Sequence, residues 1–337
     1  MNYGVLKKRV FQKWIMAVAM MGWLIPPSIA VSATSLESIL AGARAERERI
    51  RSGLFRVVGT AQETTSWTNQ TITKSLTGFG AFDVDAGLFR WDRRVDIAGG
   101  KPGAEFKCLI KPDMEFYYSE NFHKAEIHLP GSGPPESNPD VGRLLDIRAF
   151  GLLFDANVES GATPDMATAA LSNNPLFGKE PIIEDAGNGV ARVTWTAEPV
   201  KNVTDQLEWV VDTANGYTPI RRTQTETVDG KDPLPVAMQE LTWKQIDEVW
   251  VPVGYKLNSV RRVPAPNAEG VGTFARTVHW EIKWEMVNEG AISRDLFDIH
   301  KLGLPIGTVI MEAREGKPFV TERIGPKQRP PLIPGQR

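Results

Sequence analysis

Arg276-Thr-Val-His-Trp-Glu-Ile-Lys-Trp-Glu-Met-Val287 alternates apolar and polar residues along its length. Val278, Trp280, Ile282, Trp284 and Met286 fall on one face, and Thr277, His279, Glu281, Lys283 and Glu285 on the other. Successive side chains of a strand point to opposite faces, so the stretch predicts a sheet strand with one apolar and one wet face. The period recurs upstream at Ala191, Val193, Trp195 and Ala197, and again at Leu207, Trp209 and Val211. Asn215-Gly216 between two such runs is a hairpin signal, because both residues tolerate positive φ. Residues 236–246 and 250–260 read as another hairpin. In the first half, strands are expected over 54–67, 72–84, 89–97, 104–110, 114–119 and 124–129, with Gly87, Gly99-Gly100, Pro112-Asp113 and Asn121 at the turns. Gly78 and Gly80 inside a strand pattern read as a bulge or bend.

Helices are few. Thr34 and Glu37 fit a capping box, Leu36, Ile39, Leu40, Ala43 and Ile50 recur at helical spacing, and Gly53 is a natural stop. Short helices are expected over 141–154 and 164–171, where Asp165 in a first turn suits the helix dipole. Residues 131–139 and 263–271 are Pro- and Gly-rich loops. The fold class that follows is mainly β (α+β): one large curved antiparallel sheet, an open half-barrel, with a few helices on its concave face.

The first residues read as an export signal. Lys7, Lys8, Arg9 and Lys13 form a basic region, 14–25 are apolar but too short to span a bilayer comfortably, and small residues follow at Ser28, Ala30 and Ala33. The mature chain then begins at Val31 or Thr34, through the general or the twin-arginine route, and carries no transmembrane anchor after cleavage. The expected organisation is a signal peptide over 1–33, a sheet domain over 34–290, a small C-terminal extension over 291–324 and a disordered Pro-rich tail over 325–337. The location is the periplasm or the exterior.

Charge excludes one class of partner. There are 39 Lys and Arg against 41 Asp and Glu, well interspersed, so no concentrated basic patch offers itself to nucleic acid. Cys108 is the only cysteine, so no intrachain disulfide can form. It shares a strand face with Ala104, Phe106 and Ile110, which reads as a buried, inert thiol.

No motif for catalysis, metal or cofactor stands out. The four histidines, His123, His128, His279 and His300, form no ligand pair and read as solvated. Asp83, Asp85 and Asp92 flank a turn and read as solvated carboxylates. Ser132 lies in Gly-Ser-Gly, which lacks nucleophile-elbow spacing. The aromatic residues say more. Eight tryptophans lie beyond the signal. Trp91, Trp195, Trp209, Trp243, Trp280 and Trp284 are the candidate ligand-binding residues of an apolar face. That face can serve as a core or as the wall of a cavity for an acyl chain.

Gly80-Ala-Phe-Asp-Val-Asp-Ala-Gly-Leu-Phe-Arg-Trp-Asp92, followed by Met114-Glu-Phe-Tyr-Tyr118, resembles the LolA/LolB-like periplasmic lipoprotein carriers. The resemblance covers roughly residues 35 to 225 in its order of elements. It implies a curved sheet that binds lipid or a lipoprotein acyl chain without covalent chemistry. Where such carriers place an arginine ahead of a Pro-rich turn, this chain has Asp85 and Ala86-Gly87. Three readings stand side by side: an exported binder of apolar ligands, an envelope interaction module whose core is filled by its own chain, and a hydrolase with a site assembled from distant residues. Ligand identity and oligomeric state are open at this level.

Overall fold

The computed structural model describes residues 35–99, 101–131, 145–152, 163–172, 180–230, 232–264, 271–312 and 319–325. The chain divides into Met1–Thr34 and Ser35–Arg337, and all described residues belong to the second unit. The expected export signal and most of the expected Pro-rich tail lie outside them.

Two α-helices are described, α1 (Leu36–Glu48) and α2 (Pro164–Ser172). The strands are β1 (Ser52–Thr65), β2 (Gln70–Asp83), β3 (Leu88–Ile97), β4 (Lys101–Lys111), β5 (Met114–Ser119), β6 (Lys124–His128), β7 (Ile182–Asp185) and β8 (Val190–Val200). They continue as β9 (Val203–Asp212), β10 (Thr218–Val228), β11 (Leu234–Ile246), β12 (Val249–Pro264), β13 (Val271–Val287), β14 (Val309–Glu312) and β15 (Phe319–Arg323). All fifteen join one curved sheet that does not close into a barrel, in the order β15-β14-β6-β5-β4-β3-β2-β1-β13-β12-β11-β10-β9-β8-β7. The expected fold class is what the structure has, with a single parallel pair, β6 with β14.

Two antiparallel meanders build the sheet. The first runs β1 to β6. The chain then crosses to the far edge, starts again at β7 and returns to β13, which pairs with β1 from Gly53↔Val287 to Thr65↔Phe274. The crossing segment places Leu145, Ile147, Phe150 and Leu152 against the concave face, all buried. The described part of the expected helix over 141–154 is a 3-10 turn, Ile147–Ala149, whose Asp146 side chain caps the Arg148 amide.

Three apolar clusters hold the unit together. The central one gathers Phe55, Val57, Trp91, Cys108, Phe150, Tyr255 and Trp280 on the concave face. A second joins α1 and α2 to Trp195 and Trp209 of β8 and β9. The third lies on the opposite face of the first meander, where Ile292, Phe297, Leu302 and Leu304 cover Leu88, Leu109, Phe116 and Tyr118. The 291–324 extension is thus a second cover for β3 to β6 and adds β14 and β15 beside β6. The Arg90 guanidinium donates to the Leu296 carbonyl at 2.8 Å and so ties cover to sheet.

Several local expectations change. The capping box is Ser35 with Ser38, one residue beyond Thr34, because the Ser35 hydroxyl accepts from the Ser38 amide and the Ser38 hydroxyl from the Ser35 amide. Gly53 does not stop the helix. It lies in β1, where a Cβ would overlap the Trp284 ring. Gly78 and Gly80 mark no bulge, since β1 and β2 pair without a register shift. They leave room for the rings of Trp91 and Phe55, which a Cβ at either position would strike. A bulge does interrupt β13. Leu54 pairs with Met286 and Phe55 with Trp284, which leaves Glu285 as the extra residue. Met286 therefore packs with Leu54 in the third cluster, on the opposite face from Trp284. Cys108 is buried, as expected.

Candidate functional site

The six candidate tryptophans share the concave face, but the chain itself meets them there. Trp91, Trp209 and Trp280 are each at most 5 % exposed, so a ligand reaches those rings only if a covering segment moves; Trp195, 2 % exposed, keeps only a margin of its side chain at an opening. Trp91 stacks on Phe55 at 6.0 Å between centroids, and Trp280 lies 6.1 Å from Phe150 of the crossing segment. The Trp209 indole N–H donates to the Gly151 carbonyl at 3.1 Å. Trp243 and Trp284 are half-buried and donate to the carbonyls of Pro219 and Pro252, at 2.6 and 2.8 Å. A buried indole normally finds such an acceptor, and these bonds fix the rings in place. The structure brings the six together along one sheet face; it does not gather them around one opening.

An opening lies at one end of that face. A groove of about 990 Å³ runs between α1, α2 and the β7–β8 edge. Leu36 and Leu40 of α1, Leu171 of α2, Ile183 of β7 and Trp195 of β8 supply its apolar wall, so Trp195 alone of the six tryptophans lines it. The helical spacing of Leu36 and Leu40 turns both toward one side. Glu37, Arg44, Asp165 and Glu180 supply charge. Arg44 joins the two helices: its Nε lies 2.9 Å from Glu48 and 2.5 Å from Asp165. The hydrogen bond to Glu48, then the charge of Asp165, holds its pKa above the ordinary arginine value. Sequence reading missed this groove because its walls come from three separated segments. The signal available was Leu36 and Leu40 on one helix and Asp165 in the first turn of the other.

Arg47 is the unusual cation. It is fully buried on α1, its guanidinium lies 4.0 Å over the Trp243 ring, and Nη1 donates to the Trp250 carbonyl at 3.3 Å. Its Nε and Nη2 have no hydrogen-bond partner. Burial pushes its pKa down to about 9, against a smaller opposing pull from Glu46, so it remains a cation at neutral pH.

Other charged groups pair off locally. His128 is not solvated; its Nε2 lies 2.9 Å from buried Glu126. Glu115, also buried, accepts from the Tyr117 hydroxyl at 2.8 Å and the Gly131 amide at 2.7 Å. Asp92 is not solvated either: buried Arg90 donates to it, and Lys107 Nζ lies 3.6 Å away. Asp85 is exposed and pairs with Arg51, which lowers its pKa through that hydrogen bond. An Asp85→Arg change made to imitate the carriers would set two guanidinium groups side by side. Among the described residues, no group of three or more His, Cys, Asp or Glu side chains could hold a metal ion. No described helix is long and apolar enough to cross a membrane.

No family model and no curated protein matches the chain. Solved structures similar to it include a DUF1329 family protein from Desulfovibrio piger, at 11 % identity and TM-score 0.39, covering 79 % of this chain and 98 % of that one. A domain from Vibrio parahaemolyticus described as a putative outer membrane lipoprotein-sorting protein is also similar, at 11 % identity and TM-score 0.39, covering 77 % and 96 %. A beta-barrel-like DUF1849 protein from Brucella abortus follows at 11 % identity and TM-score 0.20, covering 70 % and 100 %.

Proposed function

We propose that this is an exported, non-catalytic binding protein that takes the apolar chain of a single-chain, lipid-like ligand in the groove between α1, α2 and the β7–β8 edge. The observation that carries the reading is the groove itself. Its volume of about 990 Å³ is at the upper end of the range of small-molecule sites, roughly 300–1,000 Å³, and leucine, isoleucine and tryptophan form the apolar part of its wall beside four charged residues. Residues 7–33 supply the case for export and an envelope location. Trp195 is the ligand-facing tryptophan in this reading, and the other five act as core.

A second reading has its own observation. Phe150 and Gly151 occupy the middle of the tryptophan face, which suits an interaction module that needs no ligand.

A titration separates the two. Alkyl chains of rising length on one uncharged head group should bind with affinity that rises by up to about 0.8 kcal/mol per methylene until the groove is full. Ala169→Trp, which sets an indole into the groove, should weaken that binding and shorten the chain length at which affinity stops rising, while the circular dichroism spectrum stays unchanged. Binding undetectable at every length, with no lipid extracted from protein purified from its own host, would leave the interaction module.

A further inference from the structure

We propose that the head group of the ligand is cationic: an amine or quaternary ammonium on a single alkyl or acyl chain. This rests on the groove reading and adds the chemistry of the other end of the ligand.

The charge lining the groove is unbalanced. Glu37, Asp165 and Glu180 face one cation, Arg44, a formal balance of −2. Arg44 is already shared between Asp165 and Glu48 and has little left for an incoming anion. No ion pair engages Glu37 or Glu180 among the described residues, and both are exposed at the groove.

Two helix N-termini also open here and work the other way. A helix N-terminus carries the equivalent of about +0.5 charge, so α1 and α2 together offset at most about one of the two excess negative charges. Part of that is already spent locally, because Ser35 and Ser38 cap α1 and the Thr163 hydroxyl accepts from the Met166 amide at the start of α2. The carboxylates win. A fatty-acid carboxylate entering the groove would meet net repulsion, and an ammonium at the same depth would meet two unpaired carboxylates beside an apolar wall.

The test compares heads on one chain. Dodecylammonium, dodecanoate and an uncharged twelve-carbon amphiphile are titrated into the mature protein below their micelle concentrations, at low and at high salt. The expected order at low salt is ammonium, then uncharged, then carboxylate, with on the order of tenfold between the extremes, narrowing as salt screens the exposed carboxylates. A Glu37→Gln, Glu180→Gln double variant should erase most of the preference between the ammonium and the carboxylate. Dodecanoate binding as tightly as dodecylammonium, or a preference that survives the double variant, overturns the inference while the groove reading stands. If none of the three binds, the groove reading falls and the inference with it.

Discussion

The two meanders of the sheet are built from the same alternating grammar and are buried differently. In the first, β5 is buried at all six positions, Met114 through Ser119, because the crossing segment lies on one side and the 291–324 extension on the other. In the second, β11 keeps alternate positions wet: Gln239 and Leu241 are buried while Glu240 and Thr242 are exposed. A strand covered on both faces must satisfy its polar residues inside. The first meander pairs Glu115 with Tyr117, Glu126 with His128, and Asp92 with Arg90 and Lys107, and leaves the buried Ser119 hydroxyl without a hydrogen-bond partner among the described residues. The second leaves Arg192, Glu208 and Arg221 as a ladder of ion pairs at the surface, half-buried at Arg192 and Glu208 and exposed at Arg221. The difference lies in what the chain lays over the strands, and β5 matches its two covers with large side chains on both faces.

The largest effect should come from removing the second cover. Phe297→Ala, at a side chain 3 % exposed over the first meander, is expected to cost about 3–5 kcal/mol in urea denaturation. A loss below about 1 kcal/mol would make the extension an appendage and erase the comparison. Overpacking comes next. Gly80→Ala drives a methyl into the Phe55 ring between β1 and β2, and about 1–3 kcal/mol should be lost, read by thermal unfolding.

Arg47→Met should act in the opposite direction on the second meander. It removes a desolvation penalty of several kcal/mol and forfeits a cation–π contact of about 2 kcal/mol and one carbonyl hydrogen bond. A net gain of about 1 kcal/mol is expected. The pH dependence carries a definite sign. With the folded pKa pushed down to about 9, the unfolded chain holds the proton more firmly, so the penalty is complete below pH 9 and is relieved as pH rises above it. The advantage of Arg47→Met should shrink between pH 9 and 11, and a constant advantage would mean that Arg47 keeps its proton throughout.

The smallest effect belongs to the exposed pair. Asp85→Asn should leave stability at pH 7 unchanged within error, since both partners are solvated. Any contribution from its lowered pKa is present above about pH 4 and fades as acid titrates the carboxylate.

Much of the sheet was legible because alternation and turn chemistry are local. The strand over 276–287, the Asn215-Gly216 turn and the buried Cys108 followed from neighbours in sequence. Met286 was misplaced because a bulge is a property of two strands, visible only when Leu54 and Phe55 are set against it. The second cover was signalled weakly: Met114, Phe116 and Tyr118 are large on one parity while Tyr117 is large on the other, which is not how a half-wet strand reads. The groove was not legible, since α1 lies more than a hundred residues before α2 and β7–β8, which complete its wall. Six tryptophans on one face pointed to a common surface, and only packing distinguishes the one at the groove from those sealed in the core.

The seam between the meanders has a consequence for the order in which the molecule is made. β1 is the first strand synthesised, and its second neighbour, β13, is nearly the last, with Gly53 waiting for Val287. Until residues 271–287 arrive, the first meander presents β1 as a fourteen-residue edge with a full row of unpaired amides and carbonyls. Such an edge is a template for pairing with another chain, and long-range closure of this kind is slow. A chain that crosses a membrane before it folds would pass through this interval outside the cytoplasm, so its most vulnerable species is a half-emerged sheet, and its yield should depend on how soon β13 closes the seam.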